Sequence, residues 1–316
     1  MTGWQVTAGA GLTPSQVDGA LALVQAATVA DGIGPLSEHV LLYLRYSGDD
    51  PGPGQDFVVT SGGKIAGYAY LDPPGTDAES AGELVVHPAR RRQGIGQALL
   101  DALIAAAQEH PLRLWAHGDL PPATRLASQY GFERFRALWQ MHRPLDAPAD
   151  EPVLPPGRVL RTFVPGQDED EWLALNGRAF AKHPEQGAWT RHDLDLRERE
   201  PWFDPAGFFI VTHDGVMTGF HWTKVHPAGE HDGSGEEQPV GEVYVVGVDP
   251  AEQGSGLGRA LTQVGLRHLR DLGLTQVMLY VDEDNTPAIR MYQRLGFERT
   301  RIDAMYRRPP GGPPPR

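Results

Sequence analysis

Gly241-Glu242-Val243-Tyr244-Val245-Val246-Gly247-Val248-Asp249-Pro250-Ala251-Glu252-Gln253-Gly254-Ser255-Gly256-Leu257-Gly258-Arg259-Ala260-Leu261 is the stretch whose reading decides the fold. Its first third is an apolar run rich in valine, as in a buried strand. The middle is a glycine-rich turn. The end opens a helical face carried by Leu257, Leu261, Val264 and Leu272. Strand, glycine loop and helix together form an anion site. Glycines let backbone N–H groups approach the anion, and the helix N-terminus adds its positive dipole end. Two familiar uses of this device fail here. A dinucleotide fingerprint needs a third glycine where Leu261 stands. A P-loop needs Gly-Lys followed by Ser or Thr, and the one Gly-Lys pair, Gly63-Lys64, is followed by Ile65.

The same pattern occurs earlier, in Gly82-Glu83-Leu84-Val85-Val86-His87-Pro88-Ala89-Arg90-Arg91-Arg92-Gln93-Gly94-Ile95-Gly96-Gln97-Ala98-Leu99. Pro88, Gly94, Gly96, Ala98 and Leu99 match Pro250, Gly256, Gly258, Ala260 and Leu261 at a constant offset of 162. Gly-Phe-Glu-Arg follows each copy, at Gly131–Arg134 and Gly296–Arg299, at an offset of 165. A repeat of half the chain length is a duplicated domain rather than a solenoid.

The 316 residues are long enough for two domains. Residues 1–143 form the first. Residues 144–156, with prolines at 144, 148, 152, 155 and 156, read as a semi-extended linker. Residues 157–306 form the second, and 307–316 an expected disordered tail. His226–Gly241 is glycine-rich and acidic and reads as a mobile loop. Each copy shows a hairpin (Gln55–Thr60 with Lys64–Leu71, Phe208–Thr212 with Val216–Trp222), a strand, the glycine loop, a helix, a second strand (Leu112–Ala116, Val277–Asp282) and a short helix before Gly-Phe. The fold class is α/β, with a mixed sheet in each of two tandem domains.

Composition excludes several functions. Lysine plus arginine is 28 against 41 acidic residues, a net charge of −13, which argues against nucleic-acid partners. No cysteine is present, so disulfides, thiolate metal sites and a cysteine nucleophile are excluded. Residues 1–5 carry no basic segment before an apolar run, and no apolar stretch approaches the roughly 18 residues of a membrane span. A cytoplasmic monomer with small-molecule partners is expected. The twelve histidines show no metal-ligand spacing, so no metal site is expected, and His183, His213, His221, His226 and His231 read as surface or core polar groups.

The pattern [RQ]-x-x-G-x-G-x-[AG]-L, met at Arg91–Leu99 and Gln253–Leu261, resembles the acetyl-CoA pyrophosphate loop of the GNAT superfamily of N-acetyltransferases. Asn285-Thr286-Pro287-Ala288-Ile289-Arg290-Met291-Tyr292, ahead of Gly296-Phe297, resembles the asparagine-to-tyrosine helix of that superfamily. The resemblance implies acetyl-CoA as co-substrate. It would be held by Val246, Gly247, Val248, Gln253, Gly254, Ser255, Gly256, Leu257, Gly258, Arg259, Asn285 and Arg290. A second cofactor loop would be lined by Leu84, Val85, Val86, Arg91, Arg92, Gln93, Gly94, Ile95 and Gly96.

The copies differ where chemistry is expected. Aligned on Gly-Phe, Tyr292 and Asn285 of the second copy correspond to Ala127 and Leu120 of the first. Glu242 lies eight before Pro250 and Glu83 five before Pro88, a difference of three. On regular strands these carboxylates point to opposite faces; a bulge would restore parity. The second copy is therefore the expected catalyst. Glu242 reads as general base, direct or through water, or else as an edge-strand charge. Tyr292 reads as general acid, or else as a core tyrosine. The N–H of Val246 or Val248 is a candidate oxyanion donor. Without cysteine, direct attack by the amine in a ternary complex is the simplest route.

A tandem arrangement with only the second copy complete is similar to the mycothiol synthase family. Pro35–Glu38, Ala179-Phe180, His183–Gly187, Gly219–Lys224 and Tyr280–Asn285 carry the likeness further. The resemblance implies N-acetylation of the cysteine amine of cysteinyl-glucosaminyl-inositol, with Glu38, Glu185, Lys224, Glu242 and Tyr280 contacting that acceptor. Sheet packing is the other reading of Tyr280. A tandem GNAT acting on another amine, and a non-catalytic acyl-CoA sensor, are the competing readings.

Overall fold

The computed structural model describes residues 3–9, 11–46, 53–75, 78–145, 151–228 and 238–311. In the first half the elements are β1 (Trp4–Gly9), α1 (Pro14–Asp31), α2 (Glu38–Tyr46), β2 (Gln55–Ser61), β3 (Lys64–Asp72), β4 (Ser80–Val86), α3 (Ile95–Ala107), β5 (Leu112–Ala116), α4 (Pro121–Gln129) and β6 (Glu133–Pro144). In the second half they are β7 (Arg158–Thr162), α5 (Glu169–Ala179), α6 (Pro184–Gly187), α7 (Arg191–Glu198), β8 (Phe208–His213), β9 (Val216–His226), β10 (Val240–Val248), α8 (Leu257–Asp271), β11 (Gln276–Asp282), α9 (Thr286–Arg294) and β12 (Glu298–Arg308). Among the described residues no helix is long and apolar enough to cross a membrane.

The chain forms two compact units whose limits are not those of the sequence repeat. One unit holds residues 1–138 and 301–316, the other 139–228 and 237–300. The strand order of the first is β1-β2-β3-β4-β5-β12, and of the second β7-β8-β9-β10-β11-β6. Each sheet thus takes its last strand from the other half of the chain. Residues 139–143, expected in the first domain, belong to the second unit, and residues 301–306 the reverse. A repeat fixes the order of elements along the chain. Which backbone closes an open ladder is decided by hydrogen bonding in three dimensions.

The final strand also corrects the expected tail. Arg307 and Arg308 pair with Arg113 and Leu112 of β5, and Arg308 donates to the carbonyl of Tyr130. Residues 312–316 lie outside the described residues. The linker begins later than expected, since Pro144 ends β6 and Leu145 N–H donates to Thr275 O at 2.8 Å. At the expected loop 226–241, His226 ends β9 and Val240-Gly241 open β10; residues 229–237 lie outside the described residues.

In each unit the crossover helix covers one sheet face. In the first, α3 packs Ile95, Leu99, Leu100 and Leu103 against Phe57, Ala69 and Leu71. The other face carries α1 and α2, through Leu23, Val40 and Tyr43 on Tyr68, Tyr70 and Val85. In the second, α8 and α9 share a core with Val243, Val277, Leu279 and Val281. The opposite face is aromatic, with Trp172 of α5 packed among Phe208, Phe220 and Trp222. His221 lies fully buried under α8, where its Nδ1–H donates to Leu261 O at 2.7 Å. Burial pushes its pKa down to about 4, so the ring is neutral. Gly265 makes room for it: a Cβ there would lie 1.9 Å from the ring.

A buried charged cluster ties β12 into the first unit. His117 Nδ1 lies 3.0 Å from Asp303 Oδ2, and its Nε2 3.7 Å from Glu83. Glu83 also accepts from Ser37 N–H, and Asp303 from Gly118 N–H. Burial alone favours a neutral imidazole. The bonds to Asp303 and Glu83 outweigh it and raise His117 to about 10. Burial likewise disfavours both carboxylates as ions, yet His117 and the backbone donors hold each below its ordinary value.

Two outcomes are expected. A fragment of residues 157–316 lacks the β6 segment that closes the second sheet, whereas 139–300 contains it. The longer-tailed fragment should aggregate and 139–300 should give a cooperative melt; equal folding of both would overturn the strand assignment. Replacing His117 by phenylalanine leaves two buried carboxylates uncompensated, a loss of roughly 3–5 kcal/mol. The folded imidazole titrates above its unfolded value near 6.5, so its stabilisation is complete below that pH and fades as pH rises toward about 10. The gap between wild type and His117→Phe in denaturation midpoint should narrow over that range; a constant gap would contradict the charged imidazole.

Candidate active site

The site is built where two parallel strands stop pairing. Gly241, Glu242 and Val243 of β10 face Val277, Met278 and Leu279 of β11, and there the register ends. On its other side β10 stays paired with β9 as far as Val248. Past Val243, alternate N–H groups of the stretch ending at Val248 therefore face an opening rather than a strand. Tyr244 sits in a bulge between Val243 and Val245. The extra residue bends β10 and puts Tyr244 and Val245 together on the aromatic face.

That bulge settles the parity of the carboxylates. β4 pairs with β3 without interruption from Val86 to Ala81, so only β10 has the extra residue. Glu83 and Glu242 consequently point to the same face, away from the crossover helix, and not to opposite faces as regular strands require. They are still not equivalent. Ala81 pairs with Arg113 and Glu242 with Met278, and 278 − 113 = 165, the offset of the Gly-Phe repeat. The counterpart of Glu242 is Ala81. Glu83 is bound to Ser37 and His117.

Glu242 is buried, and its Oε2 lies 2.6 Å from His226 Nε2. Lys224 stands directly opposite Glu242 on β9. Its ammonium lies 4.3 Å from the ring centre of Trp202 and 5.2 Å from that of Tyr244. The Tyr244 hydroxyl accepts from Arg197 Nε at 2.8 Å, and the Arg197 guanidinium stacks 3.8 Å over Trp189. Tyr280 follows Met278 on the same face of β11, is 40% exposed, and its hydroxyl accepts from Gln140 Nε2 at 3.1 Å. The same β11 face ends at Asp282, 3.9 Å from His183. Glu185 is exposed on α6. Glu38 belongs to the other unit, where it opens α2 half-buried.

Tyr292 arrives from the other side of the sheet. It lies on α9, in the core that contains Val243, Leu279 and Val281, edge-on to Phe297. Burial pushes its phenol up to about 12, so it keeps its proton across the neutral range. Glu242 alternates with Val243 and faces away from that core. A carboxylate and a protonated phenol therefore lie on opposite faces of the sheet beside the last β10–β11 pair.

The glycine loop has the shape of an anion cradle. Gly254 and Gly256 adopt φ of 83° and 89°, and Gln253–Gly256 is exposed at the start of α8. The first N–H groups of a helix lack intrahelical partners, so this loop presents donors outward. Gly258, at the start of α8, lies against Val248, which a Cβ there would meet at 3.6 Å, an ordinary contact. In the first unit Gly94 has φ of 83°, and Arg92, standing where the second has Gly254, takes 64°. That conformation costs a non-glycine residue about 1–2 kcal/mol, yet the loop shape is kept. The Arg91 side chain is bound bidentately to Asp31, at 2.7 and 2.6 Å. Of the other expected cofactor residues, Asn285 caps α9 through its Oδ1 to Ala288 N–H, and Arg290 is exposed on that helix. Among the described residues no group of three His, Asp or Glu side chains is placed to hold a metal ion.

His226, Gln140, Trp202 and Tyr244 escaped sequence reasoning. They come to Glu242, Tyr280 and Lys224 through strand register and packing, and no local motif marks them. By sequence the strand from Val216 ends at Trp222 and a loop begins at His226, whereas β9 runs on to His226.

Comparison with known proteins agrees with this architecture. The model of the acetyltransferase (GNAT) family matches residues 172–297, and a second acetyltransferase (GNAT) domain model matches residues 53–134. A mycothiol acetyltransferase of Thermobispora bispora is 56% identical over 296 residues, covering 94% of this chain and 97% of its own. That of Thermomonospora curvata is 56% identical over 301 residues, covering 95% and 96%. Among solved structures, a GCN5-related N-acetyltransferase from Sphaerobacter thermophilus is 25% identical with a TM-score of 0.67, covering 96% of this chain and 95% of that one. A tandem GNAT protein from the clavulanic acid biosynthesis pathway shares the fold at a TM-score of 0.71 and 22% identity, covering 98% and 99%. With two GNAT domains and half its residues shared with these relatives along nearly its whole length, the chain belongs to the mycothiol acetyltransferase family of tandem GNAT enzymes.

Proposed function

We propose that the C-terminal unit transfers the acetyl group of acetyl-CoA to the cysteine amine of cysteinyl-glucosaminyl-inositol, giving mycothiol, by direct attack in a ternary complex. The observation that carries this reading is the placement of Glu242 and protonated Tyr292 on opposite faces of the sheet beside the last β10–β11 pair. Acetyl transfer to an amine needs a base for the ammonium proton, donors for the oxyanion and an acid for the leaving thiolate. Glu242 takes the proton, directly or through a water. The N–H of Val246 or Val248, beyond the last β10–β11 pair, receives the developing negative charge. Tyr292 gives its proton to the departing sulfur. The residues present fit the cofactor: Gly254 and Gly256, with Gln253, Ser255, Leu257, Gly258 and Arg259 at the start of α8, form a backbone donor set suited to a pyrophosphate.

The acceptor would meet Glu242, Tyr280, Lys224 and Glu185 of this unit. Carboxylates suit an ammonium and sugar hydroxyls, and lysine suits oxygen acceptors. The relatives' name, mycothiol acetyltransferase, supports this acceptor. The N-terminal unit has Ala81, Ala127 and Leu120 where the second has Glu242, Tyr292 and Asn285, so in this reading it keeps a cofactor loop without turnover.

Turnover followed by mass spectrometry, with acetyl-CoA, the cysteinyl acceptor and a panel of simple amines, tests the proposal. Rapid N-acetylation of the cysteinyl acceptor is expected; activity confined to panel amines would overturn the acceptor, and silence everywhere the enzymatic reading. Glu242→Gln and Tyr292→Phe should each lower kcat by roughly 10²–10⁴-fold with acetyl-CoA affinity nearly intact; unchanged kcat in both would sink the acid and base roles. Gly256→Val, at φ of 89° with open space around it, should act through the loop backbone and raise the KM for acetyl-CoA while sparing the fold.

A further inference from the structure

Glu242 has two cationic candidates on the neighbouring strand, and it is bound to the less obvious one. Lys224 is its direct cross-strand partner, and His226 is its diagonal neighbour through the pairing of Val240 with His226. An ammonium directly opposite a carboxylate ordinarily pairs with it. Here the ammonium is drawn over the faces of Trp202 and Tyr244. The carboxylate is instead held by the imidazole at 2.6 Å, with 16% and 8% of the two side chains exposed. A permanent cation on the carboxylate would weaken it as a base. An imidazole ring nitrogen supplies a single directed hydrogen bond. A bond to Oε2 fixes the carboxyl plane, and so the direction in which Oε1 points.

We propose that His226 is a positioning residue for the general base: its hydrogen bond to Oε2 locks the rotamer in which Glu242 meets the acceptor's amine. This rests on the reading of Glu242 as base. The second part of the device is the seat of Lys224 against the faces of Trp202 and Tyr244.

The experiment measures kcat, KM for both substrates and acetyl-CoA affinity in full-length His226→Ala, His226→Asn and His226→Gln, beside Glu242→Gln and the double variant His226→Ala/Glu242→Gln. A carboxylate free to turn loses alignment with the amine, and misplacement of this order lowers kcat by roughly 10²-fold. His226→Ala should therefore lose kcat with acetyl-CoA affinity unchanged. The glutamine amide reaches Oε2 and should recover most of that loss, whereas the shorter asparagine should not. The double variant should be no slower than Glu242→Gln alone, since the two act as a unit. Should His226→Ala fail to fold, the glutamine–asparagine contrast decides the matter, and equal rates in those two would overturn the proposal. Wild-type kcat in His226→Ala, with Glu242→Gln slow, removes the positioning role and leaves the base intact. Wild-type kcat in Glu242→Gln removes both.

Discussion

The candidate chemistry depends on one constraint: β10 and β11 pair through Val243 and Leu279 and no further. A parallel sheet that continued in register would satisfy every backbone N–H internally and leave no room for a thioester. The bulge at Tyr244 bends β10 at that point, so a strand that is fully paired with β9 presents backbone donors on its other side. The glycine loop and the start of α8 follow directly from the end of β10, so the same strand aims the anion cradle and the opening. Buried His221, bonded to Leu261 O under Gly265, fixes α8 on β9 and so holds the cradle in place.

The two units solve similar packing problems with different chemistry. In the second, the face of β10 away from α8 is a packed aromatic wall that surrounds two cations, Lys224 and Arg197. In the first, the corresponding region is an ionic cluster, Glu83–His117–Asp303, that consumes a carboxylate in structure. Buried charges are tolerated only when paired and hydrogen-bonded, and here the partner Asp303 comes from the last strand of the chain. That strand is therefore a structural necessity for the N-terminal unit.

Much of this was legible in the sequence, because it rests on local rules. The positive φ of Gly254 and Gly256, the alternation of the hairpins and the spacing of the α8 face each follow from a few neighbouring residues. A duplicated pattern then fixed the order of elements in both halves, and the absence of Tyr and Asn from the first copy followed from simple alignment. The limits of the compact units could not be read in the same way: β6 and β12 each look like the natural end of their own half, and the choice of sheet is a long-range one.

By itself, then, the sequence determined the mixed-sheet class, the two glycine loops and the absence of Tyr292 and Asn285 counterparts from the first copy, since these depend on residue type and short spacing. Tertiary structure decided the rest. One extra residue in β10 changed the face of Glu242 relative to Glu83, because side-chain direction in a strand is set by counting paired residues, and a bulge is defined only by its partner strand. The diversion of Lys224 to Trp202 and the seating of His226 on Glu242 join residues 16 to 22 positions apart in the chain. No periodicity encodes such meetings; they exist only once strand register and side-chain packing are fixed.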